Sequence, residues 1–577
     1  MTGLRPSTFP GDRQAGAEAN LVRRLHWLPL AWALVWTIIL GVAFFAQPWP
    51  YMDVAKALRD AATSGWGEYF RNAFLRDVEY RPLFTLSVKA AYGVAGLRLW
   101  IYQALVLVQL AAVLALLIWL FRAGGWRRGV AASIAISCVL GLHTSRILFG
   151  FWPLNFASLI VIAILGAIAL ALDARARSLD WVFFPLTLIA LLSLEWGVIL
   201  VPLAVVLLWA RAPGVSARSV AAALAGIAVY LAIRLGLGRM DAPGGIYTGS
   251  GLGFSDVSPE ALRNIFERAP VLFWLYNVCA NLLTVLVSEP RAGVYRFISS
   301  LLAGDTPHWQ WLHVGSSVLT TAVIAFAVVM FRPMAARDRV LGASGLVLIA
   351  CSSTLGFLYA RDRIGLPAGI GYALLLYVAL AALLERGPRR AWQRVLVLGV
   401  VGVIAAAWTV RSGETFFQLR DAAWDSHLEW TDRYDQLGGA AQPQTGTLLA
   451  LRSAALGSTP DDPRGDPAWT YMLFERRFTP GAVRSHGTPD HRADTVVRPL
   501  SPPFDIRWTP AVTEAERPRF EAELGLTDPQ RVERDPRGQT FTYRLRQPTR
   551  ERVRDIVIHP AVEDTARVDA VRFQIED

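Results

Sequence analysis

Residues 27–47 read WLPLAWALVWTIILGVAFFAQ, without one charged side chain. A helix of about 20 apolar residues crosses the roughly 30 Å hydrocarbon core of a bilayer. Only a helix or a closed barrel satisfies its own backbone there, and nothing in the pattern suggests a closing sheet. Comparable runs recur at about 99–121, 128–146, 152–172, 219–238, 312–331, 340–358, 366–385 and 394–410. Residues 181–210 form a longer apolar run interrupted by SLEWG, which fits two short helices meeting at Ser193–Glu195 better than one tilted helix. The expected fold is an all-α polytopic membrane domain of about 11 transmembrane helices over residues 27–410.

The rest of the composition agrees. Of 577 residues, 54% are hydrophobic, which excludes a soluble enzyme with a membrane tail. The net charge of +11 is no nucleic-acid signal, because the basic residues cluster in short loops between spans and act as topology determinants. Cys138, Cys279 and Cys351 all lie in apolar segments, with neither metal-ligand nor disulfide-framework spacing. No cofactor and no metal ligand set is expected from the sequence. No small-residue cleavage site follows the first span, which therefore reads as retained.

Arg23 and Arg24 place the tail 1–26 in the cytoplasm. The outer loop 48–98 contains amphipathic stretches suited to the interface, such as VAKALRDAATSGWGEYFRNAFL. The loops RAGGWRR, DARARSLD, 211–218, FRPMAARDR and ERGPRRAWQR then read as cytoplasmic. That alternation requires residues 271–288, VLFWLYNVCANLLTVLVS, to be non-crossing or re-entrant on the outer face. From 411 the chain turns charged and proline-rich. A helical stretch, TFFQLRDAAWDSHLEWTDRYDQL, precedes strand-like GTLLALRS, FDIRWTP and TFTYRLRQ. Residues 411–577 are thus expected to form a small extracytoplasmic α+β domain, in a multi-pass protein of the cell (inner) membrane.

Charges inside apolar segments are expensive, at roughly 2.5–3.5 kcal/mol each near mid-bilayer on insertion scales, and mark candidate sites. Glu195 interrupts the 181–210 run, where it serves equally as a helix-start acid or a cavity residue. Arg234 sits near the outer end of its span, where it can snorkel. Arg361, Asp362 and Arg363 stand at the mouth between two late spans. Asp362 neutralises one arginine, and a phosphate suits the other. Asp53 follows the first span, and DVEYRPLFTL (77–86) gathers Asp77, Glu79, Tyr80, Arg81 and Pro82 at the start of an apolar helix.

In order and spacing these motifs resemble the C-type (GT-C) membrane glycosyltransferases that use polyprenyl-phosphate sugars, in their protein O-mannosyltransferase-like branch. The similarity rests on an acid soon after the first helix (Asp53), YRPL at Tyr80–Leu83 followed by AGLRLWIYQ, SLEWGVILVP, an Arg near the end of the next span (Arg234), and ARDRIGLPAG. Leu194 stands where that branch carries a Lys and Gln103 where it carries a His. HTSRILFGFWP (143–153) lacks the acid expected after its His.

The resemblance implies that an acceptor hydroxyl attacks the anomeric carbon of a polyprenyl-phosphate monosaccharide, and that the lipid phosphate leaves. Asp53 would be the general base. Arg361, Arg363, Arg234 and Arg81 would stabilise the phosphate, and Asp77, Glu79, Tyr80 and Glu195 would support the cavity. Arg81 would either bind phosphate or hold Glu79 in place. The implied partners are the lipid-linked donor, membrane lipids and an acceptor protein, lipid or glycan, with no nucleic acid. The alternatives are a polytopic lipid or glycan transporter and a catalytically inactive membrane scaffold. No halves with matching interrupted helices, the usual mark of a transporter, are visible.

Overall fold

The computed structural model describes residues 27–45, 61, 64–75, 81–96, 99–121, 125–149, 155–236, 259–266, 270–287, 294–304, 306–330, 335–358, 360, 365–386 and 390–427, and six later strands. The helices in chain order are α1 (Leu28–Phe45), α2 (Trp66–Leu75), α3 (Pro82–Ala95), α4 (Leu99–Leu120), α5 (Trp126–Gly141), α6 (Phe156–Leu172), α7 (Phe183–Ser193), α8 (Leu200–Trp209) and α9 (Ala217–Gly236). They continue as α10 (Pro259–Ile265), α11 (Pro270–Leu286), α12 (Val294–Leu302), α13 (His308–Met330), α14 (Ala336–Leu355), α15 (Leu366–Arg386) and α16 (Ala391–His427). Short 3-10 segments, His143–Phe149, Ala174–Val182 and Glu195–Ile199, join α5 to α6, α6 to α7 and α7 to α8.

Among the described residues, 8 helical segments are long and apolar enough to cross a membrane, or 9 if α5 and the 3-10 segment after it count as one span bent by 77°. The chain is a multi-pass membrane protein by this measure, with fewer full-length spans than the expected eleven. The shortfall lies in three places. α5 has 16 residues and α6 has 17, so each rises only about 24–26 Å against a core of roughly 30 Å. The Glu195–Trp209 stretch is likewise among the shorter apolar helices. The expected break at Ser193–Glu195 is present, because Leu194 is extended between α7 and the 3-10 turn. Within the 271–288 stretch the chain forms α11 (Pro270–Leu286), a 17-residue helix whose Asn277 and Asn281 donate to the carbonyls of Phe357 and Gly356 at the end of α14.

α15 is the centre of the bundle. It is apolar on all sides, so it is stable only where every side is covered, and each residue from Leu366 to Ala381 is buried. Glycine permits its closest crossing: a Cβ on Gly371 would fall 2.5 Å from the Gly345 carbonyl of α14. Lipid removes the hydrophobic drive between helices, so such close backbone contacts carry the packing. Outward side chains such as Ile38, Val108, Trp209, Val329 and Val395 remain exposed to serve as the lipid face.

The two ends of the bundle differ. At one, Arg128 at the start of α5 binds Asp338 of α14 through two nitrogens (3.1 and 3.0 Å) and Glu385 of α15 at 2.6 Å. Arg337 donates to the Trp119 and Leu120 carbonyls that end α4. α5 and α14 start from this arginine-rich end and α16 starts beside it, so the C-terminal end of α5, the N-terminal end of α13 and the later turns of α16 meet at the opposite end.

Between α1 and α4, Pro82 opens α3 as expected, and Lys89 of α3 donates to the Ala61 and Ser64 carbonyls (2.5 and 2.6 Å) while lying over Trp66 and Tyr69 of α2. Beyond the helices, strands β1 (Val483–Ser485), β2 (Phe504–Ile506), β3 (Arg531–Asp535), β4 (Gly538–Arg544), β5 (Val553–Pro560) and β6 (Val568–Ile575) form one antiparallel sheet in the order β1-β2-β6-β5-β4-β3. FDI and TFTYR fall in strands as expected; GTLLALRS lies outside the described residues. α16 runs unbroken through position 411, and its membrane-competent part extends to Phe417 rather than ending at 410.

Candidate functional site

At the end opposite the arginine network, three segments bring polar groups together. α5 terminates at Gly141, Leu142 turns the chain sharply, and His143 begins the 3-10 segment. α16 passes directly across this corner. A Cβ on Gly141 would lie 3.0 Å from both Arg411 Cβ and Ser412 N, so only glycine lets the two backbones approach this closely. The contact is tied by Ser412 Oγ donating to the Ser137 carbonyl and Thr415 Oγ1 to the Leu140 carbonyl, both 2.8 Å. α13 supplies the third wall.

Here Glu414 faces two imidazoles and a guanidinium. His313 Nε2 is 2.5 Å from Glu414 Oε2, His143 Nε2 is 3.9 Å from Glu414 Oε1, and Arg146 Nη2 is 3.5 Å from the same oxygen. Arg146 also donates to His143 Nε2 at 2.5 Å, which assigns the lone pair of that imidazole to Nε2. The two rings lie 5.5 Å apart. One turn before Glu414, Arg411 is fully buried. It donates to Ser316 Oγ (2.9 Å), Ser317 Oγ (2.8 Å) and the His313 carbonyl (3.3 Å), and its guanidinium stacks 4.1 Å from the Trp408 ring centroid. Trp408 Nε1 in turn donates to Thr320 Oγ1.

A guanidinium at this depth persists because α13 presents hydroxyls and a carbonyl to it and an indole covers its face. Such a cluster can bind an anion through its arginines, move a proton between Glu414 and His313, or ligate a cation through its imidazoles and carboxylate.

The residues expected from sequence are distributed differently. Glu195 and Arg234 come together, with Arg234 Nη1 3.7 Å from Glu195 Oε1 and 2.8 Å from the Tyr230 hydroxyl. Arg81 is held by another element, its guanidinium 5.2 Å from the ring centroid of Phe156 at the start of α6. Asp53, Asp77, Glu79, Tyr80, Arg361 and Arg363 lie outside the described residues.

The residues that sequence reasoning missed are His143, Arg146, His313, Arg411 and Glu414. Two signals were present: the chain has only 8 histidines, two of them flanked by apolar runs, and WTVRSGETFF places Arg411 and Glu414 three apart on one helical face. By fold and site this is a multi-pass helical membrane protein with a partly buried His–Glu–Arg cluster at one end of its bundle. No protein-family model, curated protein or solved structure matches the chain.

Proposed function

We propose that this protein is a membrane glycosyltransferase that moves a sugar from a polyprenyl-phosphate monosaccharide to an extracytoplasmic acceptor. The observation that carries the reading is the cluster itself. Its described side chains include two guanidiniums, Arg146 and Arg411, against one carboxylate, Glu414. An excess of cation at the end of an apolar bundle suits the phosphate of a lipid donor, whose charge must be stabilised as the sugar leaves. The end of the bundle also fits. The arginine-rich loops lie at the other end, so positive-inside orientation turns the cluster toward the outer leaflet.

The finer assignments belong to the same reading: a GT-C-like domain of about eleven transmembrane helices, the N-terminus in the cytoplasm, the C-terminal domain outside, and Asp53 as base. Arg361 and Arg363 as donor-phosphate ligands belong to the same reading.

The test is turnover in proteoliposomes. Purified protein, reconstituted with undecaprenyl-phosphate mannose or glucose and a membrane extract as acceptor source, should release undecaprenyl phosphate and label the extract. Replacement of Arg411 by Met should abolish release. Movement of a labelled lipid donor between leaflets without any release would overturn the transferase reading in favour of a transporter.

A further inference from the structure

Glu414 meets more nitrogen than a proton-sharing pair requires. Besides His313 at 2.5 Å, a second buried imidazole, His143, turns Nε2 toward the same group from a different segment, 3.9 Å from Oε1. One donor atom from each of the three residues lies within 4.8 Å of the other two. We propose that His143, His313 and Glu414 bind a divalent transition-metal ion of the zinc class. This does not rest on the transferase reading.

The geometry supports it. Zinc bonds of about 2.0–2.1 Å arranged tetrahedrally set donor atoms about 3.3 Å apart. One donor atom from each residue lies within 4.8 Å of the others, with His313 Nε2 2.5 Å from Glu414 Oε2 and His143 Nε2 3.9 Å from Glu414 Oε1, so the three groups face one small space.

The donor set selects the ion. Two imidazoles and a carboxylate are the ligands of open zinc sites, which keep a fourth position for water or substrate. Magnesium and calcium prefer all-oxygen shells, and copper(I) prefers thiolates. The surroundings are polar enough for that fourth ligand. The side-chain polar atoms of Thr144 and Ser145, adjacent to His143, and both amide atoms of Gln310, one turn before His313, are buried without a hydrogen-bond partner among the described residues. Buried polar groups of this kind are normally satisfied by ordered water or a bound group.

Arg146 supplies the discriminating feature. Its Nη2 donates to His143 Nε2 and approaches Glu414 Oε1, contacts that a metal ion would need for itself. Its side chain is 36% exposed and lies at the edge of the cluster. Guanidinium and metal therefore compete for the same two atoms. Binding must displace Arg146 and release the proton that His313 shares with Glu414.

The experiment uses the full chain in lipid nanodiscs, stripped with a chelator and titrated with Zn²⁺ against a competing indicator, then with Co²⁺ read by its visible absorption. One Zn²⁺ should bind per chain, and Co²⁺ should give four-coordinate bands. His313→Ala and Glu414→Gln should weaken Zn²⁺ binding by about 100-fold or more, and Arg146→Ala should tighten it by about tenfold. If the buried-site variants do not fold, Arg146→Ala alone decides, since its side chain lies at the site's edge. Sub-stoichiometric binding by the wild type, unchanged binding in His313→Ala, or weaker binding in Arg146→Ala would each overturn the proposal. None of these readouts involves transfer, so their failure leaves the transferase reading untouched.

Discussion

Replacing Gly141 by alanine should loosen the whole cluster without touching any of its polar groups. The new methyl would stand 3.0 Å from Arg411 Cβ and from Ser412 N, with Arg411 C at 3.2 Å. Two of these are backbone atoms of α16, so no side chain can rotate to make room. Overpacking of this kind costs about 1–3 kcal/mol. Moving α16 away also lengthens the Ser412–Ser137 and Thr415–Leu140 hydrogen bonds, each worth about 1 kcal/mol. The expected loss is about 2–5 kcal/mol, read as a lower thermal-unfolding midpoint in detergent micelles. Gly166 of α6 serves as the control, because a Cβ there meets nothing within 4 Å. Gly166→Ala should be neutral or stabilise by about 0.5–1 kcal/mol through helix propensity. A Gly141→Ala protein as stable as wild type would refute the claim that the corner of α5 and α16 depends on direct backbone contact.

Four further outcomes are expected. Arg128→Met leaves Asp338 and Glu385 without the guanidinium they share, and should lower stability by about 3 kcal/mol in the same melt. Arg234→Leu should change stability by less than about 1 kcal/mol, since its 3.7 Å pair with the 41%-exposed Glu195 is weak; an accompanying loss of turnover would assign Arg234 to the donor. Asp53→Asn should cut transfer by about 10²–10⁴-fold at normal expression if Asp53 is the base, and near-wild-type turnover would remove it from the mechanism. Alkaline phosphatase fused after residue 430 should be active and near residue 336 inactive; the reverse would invert the proposed orientation.

What the sequence shows and what it hides have physical causes. The spans are legible because a bilayer demands about 20 apolar residues in a row, and α1, α4, α9, α13, α14 and α15 appear close to where such runs lie. The break at Glu195 and the start at Pro82 are legible because a charge in an apolar run and a proline at a first helical turn are local signals. The bend after Gly141 is not, since Leu142 and His143 contain no breaker. Arg411 reads as the charge that closes a span, yet α13, about a hundred residues earlier in the chain, provides the hydroxyls that let the helix continue. The cluster is invisible for the same reason, as positions 143, 313 and 414 share no spacing motif. Glu414, from the far end of the membrane domain, comes within 3.9 Å of His143 in the HTSRILFGFWP stretch.

The length of α16 has a mechanical consequence. Its 37 residues extend about 55 Å, nearly twice the hydrocarbon thickness. Glu414 lies thirteen residues before its end at His427, or about 20 Å along the axis. An unbroken helix resists twisting because every turn is hydrogen-bonded to the next. It therefore acts as a shaft. A torque or pull applied beyond His427 would be delivered to the turn where Arg411 binds α13 and Glu414 faces the two imidazoles.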